Sequence, residues 1–302
     1  MTRLLITTLL CAMMQPALAA SWRDDAGHVV TLATTPQRVI TLAPSLTELV
    51  FAAGAGDRIV GSVTYSDYPP AASRIPHVGD NRRLDLERVA ALRPELILVW
   101  YHGSSQKELD RLSALGIPMF YIEPRKLDEV AGAVERIGAI LGTSPTANVA
   151  ASSFRKRLND LHTRYAGKPR VRVFYQVWAQ PLLTIGAGQI ISDAIALCGG
   201  DNVFGAQHGT VPQLSSESVV AADPDVILAS RVDHDAASGA RRADKDSDIA
   251  SWRRFSSMRA VRNDQLWTVP GDAISRAGPR IIDGAEAVCA AIDAARHTGS
   301  TR

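Results

Sequence analysis

The chain has 302 residues, with 33 Lys and Arg against 31 Asp and Glu and a formal net charge of +2. A balance so close to neutral, on basic residues that are dispersed, excludes a nucleic-acid-binding surface. Past the N-terminal run, no stretch of the roughly 20 residues needed to cross a bilayer is free of charge, which excludes a later helical membrane span.

The N-terminus sets the expected compartment. Arg3 precedes the apolar run Leu4 to Met14, and Pro16-Ala17-Leu18-Ala19 supplies an A-x-A cleavage signal. Cleavage is expected after Ala19, leaving a soluble chain in the periplasm. Cys11 lies inside the apolar run behind Leu10, where a lipidation site would need a small residue. Removing the signal leaves Cys198 and Cys289 in an oxidising compartment, where a disulfide is the default and two buried thiols are the alternative. The remaining length is sufficient for two lobes with separate cores.

Strands and helices then alternate. Arg38-Val-Ile-Thr-Leu-Ala43 predicts a buried strand, and Ser45-Leu-Thr-Glu48 opens a helix in which Ser45 is the expected cap and Glu48 sits in the first turn. Gly54-Ala-Gly56 stops that helix. Arg58 to Val63 is the next predicted strand, running into Thr64-Tyr-Ser-Asp-Tyr-Pro-Pro70, where the proline pair opposes regular structure. Leu84 to Arg93 carries apolar residues at helical spacing, Pro94 stops it, and Glu95-Leu-Ile-Leu-Val-Trp100 reads as a buried strand. A helix over 105–115 and a strand over 118–122 continue the series, which predicts an α/β fold of parallel sheets covered by helices.

The second half repeats the first. Leu84-Asp-Leu-Glu87 through Leu98 aligns without a gap on Leu214-Ser-Ser-Glu217 through Leu228, matching leucine, glutamate, proline and strand. Thr47 through Gly61 likewise parallels Ser192 through Gly205. Two Rossmann-like lobes of similar topology are expected. Between them, the amphipathic stretch 146–165 predicts a helix about 30 Å long. As a strut between lobes it would oppose large hinge closure; the alternative is a surface helix packed on one lobe. The expected division is a signal over 1–19, a lobe over 20–144, a joining helix over 145–168 and a second lobe over 169–302.

Ligands of parallel α/β sheets collect beyond the carboxyl ends of the strands. Aromatic residues form 6% of the chain, yet Tyr65, Tyr68, Trp100, Tyr101 and Trp178 all follow predicted strands. Arg231 to His234, and Asp272, Ser275 and Arg276, follow two more. That combination suits a large, flat, partly apolar ligand packed on Tyr65 and Trp100 and oriented by Asp272 and Arg276. The seven histidines include His102, His208 and His234 in loops, but no ligand spacing joins them, so no dedicated metal site is expected. Axial coordination of a ligand-borne metal by His102 or Tyr65 stays open. Gly54-Ala-Gly56 and Gly186-Ala-Gly188 lack the context of a dinucleotide loop, and no catalytic motif is present. Glu87 and Glu217 hold equivalent first-turn positions, where the helix dipole is one sufficient reason for a carboxylate and docking on a two-fold partner is another.

Arg38-Val-Ile-Thr-Leu-Ala-Pro-Ser-Leu-Thr-Glu48, Tyr65-Ser-Asp-Tyr-Pro-Pro70 and Leu86-Glu-Arg-Val-Ala-Ala-Leu-Arg-Pro94 resemble the periplasmic cobalamin-binding proteins of ABC importers. Cys198-Gly-Gly-Asp-Asn202 and Ala277-Gly-Pro-Arg-Ile-Ile282 extend the likeness over nearly all of the chain after the signal. The first and third motifs are shared with haem and ferric siderophore receptors of the same fold; Tyr65 to Pro70 followed by Trp100 is the more specific part. The resemblance implies a non-catalytic, monomeric receptor with no cofactor of its own, holding a corrinoid between its lobes. It puts Tyr65, Trp100, Asp272 and Arg276 in the pocket, Glu87 and Glu217 against permease arginines, and Cys198 in a disulfide with Cys289. Asn81, Leu183 and Val211 stand where the family pattern carries aromatic side chains, and Trp178 is the expected compensation. The alternatives are a haem or siderophore receptor of this fold, a secreted two-domain enzyme, and a structural envelope protein.

Overall fold

A computed structural model describes residues 20–186, 188–231 and 239–299. The expected signal over 1–19 and the loop residue His234 lie outside the described residues.

A hairpin comes first, β1 (Ala20–Arg23) against β2 (Val29–Leu32). Then follow β3 (Val39–Thr41), α1 (Pro44–Ala52), β4 (Ile59–Gly61), α2 (Leu86–Ala91), β5 (Leu96–Val99), α3 (Gln106–Ser113) and β6 (Met119–Tyr121). The four strands from β3 to β6 form a wholly parallel sheet in the order β4-β3-β5-β6. Parallel strands are covered on both faces, which is why β5 is a continuous apolar run with Leu96, Ile97, Leu98 and Val99 all at 1% exposure or less.

Two helices, α4 (Leu127–Ile140) and α5 (Ser144–Tyr165), lead into the second half. Its elements are β7 (Val171–Ala179), β8 (Leu182–Thr184), α6 (Ile190–Leu197), β9 (Gly200–Asn202), α7 (Ser216–Ala222) and β10 (Val226–Arg231). After them come β11 (Arg241–Arg242), α8 (Arg259–Arg262), β12 (Leu266–Pro270), α9 (Gly271–Ser275) and α10 (Ile281–Gly299). The second sheet is parallel through β9, β7, β10 and β12, with β8 and β11 added antiparallel.

The internal repeat extends to backbone detail. Asp85 caps α2 by accepting from the Arg88 amide at 3.0 Å, and Ser215 caps α7 by accepting from the Ser218 amide at 3.2 Å. Both helices run into a left-handed residue before a proline, Arg93 at φ 46° and Asp223 at φ 40°. Ser45, by contrast, does not cap α1: the cap position is Ala43, and Pro44 takes the first turn, where its missing N–H costs no hydrogen bond.

Helix α5 packs on both halves rather than on one. Arg155 Nη2 donates to Glu135 Oε2 of α4 at 2.6 Å, and Arg157 Nη2 reaches Asp283 Oδ1 and Glu286 Oε1 of α10 at 2.6 and 2.9 Å. One apolar cluster runs through both halves, from Leu46 and Leu49 of α1 by way of Val130 and Ile137 of α4 and Phe154 and Leu161 of α5 to Ile191 of α6 and Val288 and Ile292 of α10. The Leu127 amide also donates to Asp193 Oδ2 of α6 at 2.9 Å, tying the start of α4 to the second half. Cys198 and Cys289 form a disulfide between α6 and α10 across 91 positions of chain. In the chain-entropy model a loop of that size stabilises the fold by roughly 4 to 5 kcal/mol.

The charges of 231–254 suggest, from sequence, a mobile loop beside the cleft, but residues 239–254 are partly built into the second sheet. Arg241 and Arg242 pair with β12, and a 3-10 segment over Asp248–Arg254 turns Trp252 inward. The indole of Trp252 is 3% exposed, donates to Gln176 Oε1 at 2.7 Å and packs edge-on against Phe174. Among the described residues, no helix is long and apolar enough to cross a membrane.

Candidate functional site

The carboxyl ends of the two sheets border a common cleft of about 430 Å3. Ala43 to Ser45 after β3, Trp100 and His102 after β5, and Glu123 to Arg125 after β6 line it from the first half. Gly188 to Ile190, Thr210, Val211 and Ser275 to Ala277 line it from the second. This is the crevice beyond the strand ends that an open parallel sheet leaves for a ligand.

Of the residues expected in the pocket, the cleft brings together Trp100 and Arg276, one from each half. Trp100 is 38% exposed, and its indole lies over Gly103, where a Cβ would fall within 2.5 Å of three ring atoms. Only glycine lets the ring rest there. Tyr65, Asp272 and Trp178 do not line the cleft. Tyr65 is 77% exposed on the loop after β4 and holds a left-handed φ of 65°, a conformation that costs a tyrosine energy. Trp178, at the end of β7, is half-exposed, donates to the Gln180 carbonyl at 2.9 Å and sits opposite Leu183 in the ladder with β8. Of the three positions where the family pattern has aromatics, Val211 is in the cleft wall, while Asn81 and Leu183 are not.

Arg276 is heavily engaged. Its Nη1 donates to Glu48 Oε1 at 3.3 Å and to Asp67 Oδ1 at 2.9 Å, and its Nη2 lies 3.1 Å from Asp272 Oδ1. Asp272 therefore orients Arg276 from one turn away, while Asp67 tethers the Tyr65 loop to the opposite half. Beneath it, Arg280 forms a bidentate pair with Glu48 and stacks on Tyr68 with the guanidinium 3.9 Å from the ring centroid. Burial opposes the charge on Arg280, but its hydrogen bonds to the Glu48 carboxylate outweigh that penalty and raise its pKa above the ordinary value. Gly278 lets this turn approach α1, since a Cβ there would meet Glu48 and the Ser45 carbonyl at 3.3 to 3.4 Å.

Glu48, Asp67 and Arg280 were not among the expected site residues. One signal for Glu48 was available: a carboxylate between Leu46 and Val50 on an apolar helix needs a buried cation. Ser275 also gains a role. It lines the cleft and hydrogen-bonds Tyr175, whose hydroxyl sits 2.6 Å from Ser230 Oγ and whose pKa burial pushes up to about 12.

Glu87 and Glu217 lie far from this chemistry in the first turns of α2 and α7, both exposed. Its own backbone N–H and the Ser215 hydroxyl hold the Glu217 carboxyl below its usual value, so it is an anion at neutral pH. No group of three His, Cys, Asp or Glu among the described residues is arranged to hold a metal ion.

A cleft between two parallel sheets fixed by a long helix defines a class of solute receptor, and the comparisons agree: residues 39–273 match the model of the periplasmic binding protein family, to which this chain belongs. That is a family of binding proteins and not of enzymes. The chain is 36% identical over 254 residues to the vitamin B12-binding protein of Vibrio cholerae, covering 84% of this chain and 88% of the relative. Its fold is similar to the crystal structure of the periplasmic vitamin B12 binding protein of Vibrio cholerae, with a TM-score of 0.77 and 34% identity over 86% of this chain and 98% of that one. A periplasmic heme binding protein from Pseudomonas aeruginosa is also similar, with a TM-score of 0.70 and 25% identity over 85% of this chain and 92% of that one.

Proposed function

We propose that the chain is a non-catalytic receptor that captures cobalamin in the interlobe cleft and delivers it to the permease and ATPase complex of an inner-membrane ABC importer. The observation that carries this reading is the even likeness to vitamin B12-binding proteins over most of the chain, together with a cleft where Trp100 and Arg276 come from opposite halves. On this view residues 1–19 are a cleaved secretion signal. Residues 20–144 and 169–302 are the two lobes that the helix within 145–168 joins.

In the ligand-bound receptor the indole of Trp100 packs against the macrocycle, and Tyr65 and Trp178 close on its edge from the rims. Arg276, steered by Asp272, hydrogen-bonds its polar side groups. Glu87 and Glu217 are the exposed anions, one per lobe, that meet arginines of the permease. Isothermal titration with cyanocobalamin tests the proposal: saturable heat at one site per chain supports it, and absence of heat removes it.

Similarity to a heme binding protein, together with Val211 in the cleft wall where the family pattern has an aromatic, favours haem as the second reading. Ferric haem bound through a protein side chain shifts its Soret band, so a spectrum of the haem-incubated protein separates the two ligands.

A further inference from the structure

His102 is the sole imidazole among the described residues that line the cleft, and it stands two residues from Trp100 on the same loop. Its other side faces a second cavity of about 590 Å3, lined also by Asp25, Glu123, Arg125 and Arg136. The ring is held from that side, because Nδ1 makes a short hydrogen bond to Glu123 Oε2 while half of the side chain stays exposed. Glu123 is itself fixed: its amide donates to Asp25 Oδ2 at 2.7 Å, and Arg136 grips Asp25 through both oxygens. Tyr101 packs edge-on against the imidazole at 4.5 Å.

A carboxylate that accepts from Nδ1–H leaves the lone pair on Nε2. This carboxylate–imidazole arrangement is how proteins orient a histidine for a metal. The Nη2 of Arg125 lies 3.0 and 3.1 Å from the two ring nitrogens and so covers the lone pair in this state. Arg125 is 56% exposed and lies 3.8 Å from Glu123, so it has an alternative anion to hold when it leaves the ring.

We infer that His102 is an axial ligand for the metal of a cleft-bound macrocycle, selecting corrinoids whose cobalt carries an exchangeable water. Resting on the cobalamin reading above, this specifies which axial state the cleft prefers. Nε2 would donate its lone pair to cobalt as the cobalt–water bond breaks and water leaves; the proton stays on Nδ1, hydrogen-bonded to the Glu123 carboxylate, and the oxidation state is unchanged. Arg125 acts as the gate that must be displaced first.

The test uses visible spectra and titrations with aquacobalamin, whose axial water exchanges, and cyanocobalamin, whose cyanide does not. Binding of aquacobalamin should shift the corrin bands as free imidazole does, and the shift should be absent in His102→Gln. The ratio of aquacobalamin to cyanocobalamin affinity should fall about tenfold or more in His102→Gln, and by a similar factor in Glu123→Gln, which loosens the ring without removing it. Taking the ratio cancels packing lost with the side chain. Arg125→Ala should accelerate the band shift. Bands that stay unshifted in the unaltered protein, or a shift that survives in His102→Gln, would overturn the assignment. If cyanocobalamin itself fails to bind, the cobalamin reading falls, and that failure is distinguishable because it precedes any question of axial exchange.

Discussion

Glu48 and Arg280 hold each other across the two halves by hydrogen bonds of 2.6 and 3.0 Å, with 1% and 9% of their side chains exposed. Glu48 also accepts from Arg276, so this cleft residue rests on a buried charge pair rather than on packed hydrocarbon. Removing one member leaves the other desolvated and uncompensated. Glu48→Ala should destabilise the protein by about 3 to 5 kcal/mol, whereas Glu48→Leu combined with Arg280→Met should cost far less. Urea unfolding of both variants measures this; equal losses would mean that the pair is not the source.

Trp100 is the large aromatic in the cleft wall. Trp100→Ala should weaken cyanocobalamin binding by about 1 to 3 kcal/mol, roughly five- to hundredfold in Kd. Titration calorimetry reads it directly, and an unchanged affinity would take the indole out of the binding surface.

Gly103 offers a subtler probe of the same ring. A methyl group at 103 would overlap the indole, which can swing away, so Gly103→Ala should lower affinity toward that of Trp100→Ala while leaving the unfolding midpoint nearly unchanged. Trp100 fluorescence should move with it.

Substituting the two first-turn glutamates tests delivery apart from capture. Glu87→Lys with Glu217→Lys should bind cyanocobalamin normally, since neither residue lines the cleft, yet support little uptake into cells. Normal uptake by that double variant would rule out the docking role.

Acid sensitivity should arise partly at Asp293. Burial works to raise its pKa, but Lys168 at 3.0 Å and Arg296 prevail and hold it below its ordinary 3.8. A depressed folded-state pKa contributes stability that is present above the unfolded value and lost as pH falls below about 3.8 through the folded one. Asp293→Asn should therefore flatten the acid limb of a stability-against-pH curve and lower stability at pH 7.

The alternation of strand and helix was legible because doubly covered parallel strands, such as Leu96 to Val99, are unbroken apolar runs. The repeat was legible because Glu87 and Pro94 fall in register with Glu217 and Pro224. What stayed hidden was long-range pairing. Glu48 meets Arg280 from 232 positions away, and Glu123 meets His102 from 21, distances that no local spacing rule connects. Ser45 misled because Pro44 already occupied the first turn. The charges of 231–254 masked Ile249 and Trp252, which are buried. Strand-end position pointed to Trp100 and Arg276, which both line the cleft, whereas the outward stance of Tyr65 goes with a left-handed backbone angle that no local pattern signals.

The apolar cluster running unbroken from α1 to α10 has a kinetic corollary. Each 100 Å2 of that surface uncovered by a jaw-like swing would cost about 2.5 kcal/mol, so thermal gaping is rare. Escape of a captured molecule is then timed by the grip of the rims themselves. On the receptor reading proposed above, a docked partner that supplies the work of parting the halves should speed that escape, and stopped-flow release with and without it measures the effect.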